Sequence, residues 1–170
     1  MHIHLSDSLA CAGETKTWEA ELEFDTFDNG VSSYPVVDKK TVRLRITNTG
    51  EKKLLIEADV SFSLWMPCDR CLEEVKIPFS YTVSRMADFG KKGAELEEQT
   101  YIEEYVLDVD GLVRDELFMH MPEKVLCRED CRGICNRCGA NLNYGDCGCD
   151  VTEPDPRMAV IRDIFKDANQ

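Results

Sequence analysis

Six cysteines fall within the 23 residues from Cys127 to Cys149, and a separate pair, Cys68 and Cys71, lies upstream. The late run reads Cys127-x3-Cys131-x3-Cys135-x2-Cys138-x8-Cys147-x-Cys149. Nothing else in the chain points to secretion. The amino-terminal stretch has no basic region followed by an apolar one, so no signal peptide is expected. No apolar run approaches the ~20 residues that span a bilayer, and a cytoplasmic protein without membrane contact is expected. In a reducing compartment, thiols at this density are a metal site rather than a disulfide framework.

Cys135-Asn136-Arg137-Cys138-Gly139 has the form of a zinc knuckle. Two thiolates two residues apart both reach one tetrahedral ion at ~2.3 Å. The glycine after the second cysteine permits the left-handed turn that wraps backbone round the sulfur. Cys147-Gly148-Cys149 can close the same site, because the Asn- and Gly-rich loop between turns back easily. Cys68-Asp69-Arg70-Cys71 is a second knuckle, with Leu72 in place of the usual glycine. With Cys135, Cys138, Cys147 and Cys149 assigned together, Cys68, Cys71, Cys127 and Cys131 remain for a second all-thiolate Zn²⁺ site. Other partitions stay open, such as Cys68 and Cys71 with Cys135 and Cys138. Iron–sulfur is disfavoured by the missing C-x2-C-x2-C run. A thioredoxin-like role for Cys68 and Cys71 is disfavoured by the absence of a βαβ pattern. Cys11 reads as an unpaired thiol.

The first half of the chain alternates. Trp18, Ala20, Leu22 and Phe24 share one face, with Glu19, Glu21 and Glu23 on the other. Val42, Leu44 and Ile46 alternate with Arg43 and Arg45, and an Asn48-Thr49-Gly50 turn is expected to follow. Ile56 to Leu64 and Val75 to Val83 continue the period of two on either side of Cys68–Cys71, which places those cysteines at a hairpin tip. Strands without intervening helical patterns give an antiparallel sheet. The acidic stretch from Ala94 to Glu104 reads as a solvated loop.

The period then changes. Val109, Leu112, Val113, Leu117 and Met121 recur at helical steps, Asp108 or Asp110 can cap the start, and Pro122 ends the run. His120 reads as a helix-terminal histidine rather than a ligand. A second helix is expected near 156–167, capped by Asp155 and lined by Met158, Ile161, Ile164 and Phe165. The fold class expected is α+β: an antiparallel β-sheet or partly closed barrel with two helices and a carboxy-terminal Cys-rich zinc-binding module. The expected divisions are a sheet domain ending in a packed helix (1–121), the zinc module (122–150) and a helix packed on the main domain (151–170).

A formal net charge of −13 repels nucleic acid and anionic lipid as a whole and suits a basic protein partner. One stretch runs against this. Lys124 to Tyr144 holds four bases and two acids. Its arginines Arg128, Arg132 and Arg137, with Arg70 beside the first knuckle, are candidate RNA contacts. Asn136, Asn141, Asn143 and Tyr144 add donors and a stacking surface. Glu19, Glu21 and Glu23 are the candidate contacts for a basic protein. Only three histidines are present, there is no H-E-x-x-H, G-x-S-x-G or Walker A sequence, and all-thiolate sites are closed structural ones. No enzyme and no small-molecule substrate are therefore expected.

The hairpin Cys-x-Arg-Cys-Leu (Cys68 to Leu72), the helix ending before Pro122, and Cys-x3-Cys-Arg-Gly-Ile-Cys-x2-Cys-Gly-x-Asn-Leu-Asn followed by Cys-x-Cys together resemble the YceD-like family. The closing Asp155-Pro156-Arg157 fits as well. Members are large ribosomal RNA subunit accumulation proteins of bacteria and plastids. The resemblance implies a non-enzymatic factor in large-subunit rRNA accumulation and ribosome assembly, with rRNA or a basic ribosomal protein as partner. A zinc-stabilised protein–protein adaptor unrelated to ribosomes is the competing reading, and a thiol redox or metal-dependent enzyme a remote one.

Overall fold

The computed structural model describes residues 1–90 and 100–149. The helix expected near 156–167 and most of the acidic stretch, including Glu95, Glu97 and Glu98, lie outside the described residues.

Among the described residues, the body is a six-stranded antiparallel sheet built on two long strands, with a separate three-stranded antiparallel sheet of short strands. β1 spans His2–His4, β2 Thr15–Ala20, β3 Thr26–Asp28, β4 Ser33–Val37, β5 Val42–Gly50, β6 Lys53–Pro67, β7 Glu74–Asp88, β8 Ile102–Glu103 and β9 Val106–Asp108. Two helices are described, α1 at Ser6–Leu9 and α2 at Val109–His120. β6 and β7 pair along their whole length, from Lys53↔Asp88 to Pro67↔Glu74, and Cys68 to Leu72 form the tip beyond. On its other side β6 pairs first with β5 and then with β4, whose far neighbours are β2 and β3. Of the two forms expected, the sheet takes the open one and does not close into a barrel.

Alternation decides which face is buried. Val42, Leu44 and Ile46 of β5, and Leu54, Ile56, Ala58, Val60, Phe62, Leu64 and Met66 of β6, all face the core. Each of these side chains other than Ala58 stabilises the fold by about 1.5–3 kcal/mol through the apolar surface it removes from water. The alternation expected through residues 17–25 is present in burial, with Ala20, Leu22 and Phe24 inside. Its strand pairing stops at Ala20, where β2 runs out of β5 at Val42.

The turn after β5 differs from the expected Asn48-Thr49-Gly50. It is Glu51-Lys52, both left-handed (φ 51° and 59°), between the paired Gly50 and Lys53. That is the primed two-residue turn that matches strand twist. Asn48 is needed elsewhere: it is buried, its Nδ2 donates to Ser8 O at 3.0 Å, and its Oδ1 accepts from Gly50 N at 2.9 Å.

α2 covers the sheet. Val109, Leu112, Val113 and Leu117 are buried as expected, and Met121 packs at the edge of the core. The two candidate caps divide their roles. Asp108 is the N-cap and accepts from Asp110 N at 3.1 Å. Asp110 is buried, accepts from Glu23 N at 2.9 Å and pairs with the amine of Met1 at 2.8 Å. Glu116 is buried on the sheet side and satisfied by the Arg85 guanidinium of β7. His120 ends the helix, stacks on Tyr81 at 4.2 Å and has Nδ1 2.9 Å from Glu116 O. Pro122 then directs the chain toward the β6–β7 tip, where Asp69 N donates to Val125 O at 2.8 Å.

Candidate metal centres

Eight of the nine cysteines gather into two sets of four, and within each set the sulfurs lie within 4.8 Å of one another. One set is Cys68, Cys71, Cys127 and Cys131, the proximal centre; the other is Cys135, Cys138, Cys147 and Cys149, the distal centre. Cys11 is exposed and belongs to neither.

The proximal centre depends on the hairpin tip meeting the segment after α2. One backbone bond and one side-chain bond bring them together: Asp69 N donates to Val125 O, and Val125 N to Asp69 Oδ2 at 2.6 Å. Arg70 Nη1 adds a bond to Cys131 O at 2.8 Å. Cys68 Sγ then lies 3.8 Å from Cys131 Sγ, and Cys71 Sγ 3.6 Å from Cys127 Sγ. A regular tetrahedron of sulfurs at ~2.3 Å from a Zn²⁺ has edges of ~3.8 Å. Cys68 and Cys131 are almost fully buried, and Val75 and Leu126 pack against the cluster.

The two knuckles share one backbone design. Gly139 N donates to Cys135 O at 2.8 Å with φ at +74°. Leu72 N donates to Cys68 O at 2.9 Å with φ at +63°. Leucine thus occupies the left-handed position that glycine takes in the distal knuckle, at a backbone cost of about 1–2 kcal/mol. The clamp between Asp69 and Val125 and the bond from Cys68 N to Glu73 O hold it there. Gly148, between the last two ligands, is also left-handed at +70°.

Amide donors surround the sulfurs. Cys127 N lies 3.3 Å from Cys68 Sγ, Asn143 Nδ2 3.3 Å from Cys131 Sγ, and Arg137 N 3.4 Å from Cys135 Sγ. Burial pushes the Cys68 thiol up, but the N–H groups of Cys71, Arg70 and Cys127 outweigh it and bring it to about 6. The backbone N–H groups of Cys138 and Arg137 lower Cys135 to about 6. Cys131 is lowered chiefly by Asn143. Cys127 is pushed up to about 12 by burial and by Cys131, and Cys149 to about 12 by Cys138 and Cys147. Sulfurs this close hold one another protonated once some have ionised. A divalent cation among them removes that repulsion and lets all four ionise. The geometry and chemistry of both donor sets fit a closed four-thiolate metal ion.

The candidate partner residues are more dispersed. Arg70 is turned onto the carbonyls of Cys131 and Glu129. Arg128 Nε lies 3.4 Å from Asp130, and Arg132 Nη2 2.5 Å from Asp146. Arg137 contributes its backbone N–H to the distal knuckle. Glu19 and Glu21 are exposed on and just after the edge strand β2, Glu19 4.0 Å from Arg43, while Glu23 lies 3.4 Å from the Met1 amine. Two residues read as RNA donors are used inside the module: Asn141 Oδ1 accepts from Asn143 N at 2.9 Å, and Asn143 spends both ends of its amide. The Tyr144 hydroxyl donates to Glu73, while its ring is 80% exposed. Sequence reasoning missed Asp69, whose position between two cysteines is the only signal it carries, and Glu73, which carries none.

The family model for the large ribosomal RNA subunit accumulation protein YceD matches residues 56–165, from β6 through both centres. Three relatives share weaker likeness. The large ribosomal RNA subunit accumulation protein YCED homolog 1, chloroplastic, of Arabidopsis thaliana is 35% identical over 64 residues, 38% of this chain and 20% of that protein. The uncharacterized protein YlbN of Bacillus subtilis (strain 168) is 21% identical over 68% of each chain. The uncharacterized protein ML1660 of Mycobacterium leprae (strain TN) is 24% identical over 72% of this chain and 57% of its own. The chain thus spans a fifth of the Arabidopsis protein and little over half of the mycobacterial one. No solved structure matches. With a family match over close to two thirds of its length, carrying the hairpin tip and all eight clustered cysteines, this chain belongs to the YceD family.

Proposed function

We propose that this chain is a non-enzymatic, zinc-stabilised factor in accumulation of large-subunit ribosomal RNA, acting in the cytoplasm during ribosome assembly. The family match carries the ribosomal part of this reading. The paired tetrads of sulfur carry the zinc part: four thiolates within 4.8 Å of one another, and 3.8 and 3.6 Å apart across the two proximal pairs, suit a closed structural site with no position for a reacting water. Zinc at Cys135, Cys138, Cys147 and Cys149 folds the module of residues 122–150. Zinc at Cys68, Cys71, Cys127 and Cys131 ties that module to the sheet domain of residues 1–121. Among the described residues, no helix is long and apolar enough to cross a membrane, in keeping with a partner met in solution.

The partner is a basic ribosomal protein rather than rRNA directly. The observation that favours this is the use of Arg70, Arg128 and Arg132 for contacts within the module, in a chain whose net charge is −13. Glu19, Glu21 and Glu23 are the surface offered. The test is co-sedimentation of the full chain with large-subunit precursors on a gradient. Neutralising the three glutamates to glutamine should release the protein, while reversing Arg132 and Arg137 should leave it bound. The opposite pattern would assign the contact to rRNA, and failure of the parent protein to co-sediment with any ribosomal particle would remove the ribosomal role.

A further inference from the structure

The loop that closes the distal centre also reaches the proximal one. Asn143 lies between Cys138 and Cys147, so its position is set by the distal ligands on either side. Its backbone is held by Asn141 Oδ1. Its side chain leaves the distal loop: Oδ1 accepts from Arg132 N at 2.8 Å, and Nδ2 donates to Cys131 Sγ at 3.3 Å. The distal loop therefore supplies a donor to a proximal sulfur. Further links run the same way. Ile134 N donates to Arg70 O at 3.1 Å, Leu142 N to Gly133 O at 2.8 Å, and the Tyr144 hydroxyl to Glu73. Gly133 lies at the join, where a Cβ would come 3.0 Å from Arg70 O, on a left-handed backbone at +77°.

We propose that the two centres are one coupled unit, in which Asn143 is a positioning residue and metal at the distal centre tightens metal at the proximal one. The inference rests on the reading that both centres hold zinc. Without distal metal the loop from Ala140 to Asp146 keeps only its hydrogen bonds and loses the two anchored ends that Cys138 and Cys147 give it, and metal binding at such a module is a large part of its folding. Asn143 is then not presented, and Cys131 loses the side-chain donor that stabilises its thiolate. Groups that hydrogen-bond a metal ligand from behind are worth roughly 10–100-fold in metal affinity. The effect is reciprocal: metal at the proximal centre tightens the distal one by the same factor.

The experiment is an anaerobic Co²⁺ titration of the full chain against a competing chelator, followed by the thiolate-to-cobalt charge-transfer band. Four proteins are compared: the parent, Asn143→Ala, the distal double variant Cys147→Ser/Cys149→Ser, and the last two combined. The proximal constant is identified as the one lost in Cys68→Ser/Cys71→Ser. Asn143→Ala should weaken the proximal centre roughly 10–100-fold. The distal double variant should weaken it at least as much, and adding Asn143→Ala to that variant should change nothing more. An unchanged proximal constant in Asn143→Ala, or fully additive effects, would overturn the coupling. A second measurement needs no variant. In the ¹⁵N-labelled parent loaded with ¹¹³Cd, the Asn143 side-chain amide should show scalar coupling to the proximal cadmium, and a decoupled amide would overturn the proposal. Failure of the zinc reading beneath it looks different: the parent would take up neither Co²⁺ nor Zn²⁺ at either centre.

Discussion

Asp69→Ala tests how the hairpin tip captures the segment that carries Cys127 and Cys131. Asp69 makes a two-rung clamp, donating its backbone N–H to Val125 O at 2.8 Å and accepting from Val125 N at 2.6 Å through Oδ2. Val125 is buried at 4% exposure, so its N–H finds little water if the carboxylate is removed. A hydrogen bond to a charged group contributes about 1.5–3 kcal/mol, and an orphaned buried donor costs a similar amount. Asp69 itself is exposed, which moves the expected loss toward the lower part of that range, about 2 kcal/mol. For a chain of this length each 1 kcal/mol shifts Tm by roughly 2–4 °C, giving a fall of about 4–8 °C. Asp69→Asn keeps the acceptor oxygen and loses only the charge, so it should fall by no more than about half as much. Thermal unfolding of zinc-loaded protein, followed by far-UV circular dichroism, measures both. An alanine variant within about 1 °C of the parent, or an asparagine variant as damaged as alanine, would refute the clamp.

Cys135→Ser should dissolve the distal module while the β6–β7 sheet persists, seen as loss of amide protection in residues 133–149 with the strand amides still protected. Leu117→Ala, at a fully buried position of α2, should destabilise by about 2–5 kcal/mol in urea unfolding, because the rigid sheet below cannot collapse into the space. The Asp38 carboxyl is held below its ordinary 3.8 by a hydrogen bond from Lys76. Its folded pKa is depressed, so its contribution is complete above the unfolded value and is lost as pH falls through the folded one. Lys76→Met should therefore narrow the stability difference between neutral and acid pH, below about 4, in chemical unfolding.

Much of the sheet was legible because burial on one face imposes a period of two. Val42, Leu44 and Ile46 leave little room for another reading. The short strands were not. β1 and β3 have three residues each, too few for periodicity, and pair with partners far along the chain or across a turn. The turn after β5 was misplaced because Asn48 and Gly50 carry strong turn chemistry, which tertiary contact to Ser8 redirects. That contact left Glu51 and Lys52, poor formers of left-handed turns, to make the reversal. Spacing and the hairpin position of Cys68 and Cys71 suggested the division of the cysteines into two sets but left other partitions open, such as Cys68 and Cys71 with Cys135 and Cys138. The fold decides among them by bringing Cys68 and Cys71 to Cys127 and Cys131. What spacing could not show is the interlock. Asn143 and Cys131 are separated by other ligands, and an asparagine among asparagines reads as a free donor for RNA rather than as a partner for a sulfur. Arg70 and Arg132 looked like a basic surface because charge is visible in a sequence, whereas the carbonyls and the carboxylate they meet are brought there by the fold.

The zinc content of this chain, purified anaerobically, tests the central claim most directly. Elemental analysis should give two zinc ions per chain, falling to one in Cys147→Ser/Cys149→Ser. Iron in place of zinc, or a parent protein with no bound metal and all nine thiols freely titrating, would contradict it.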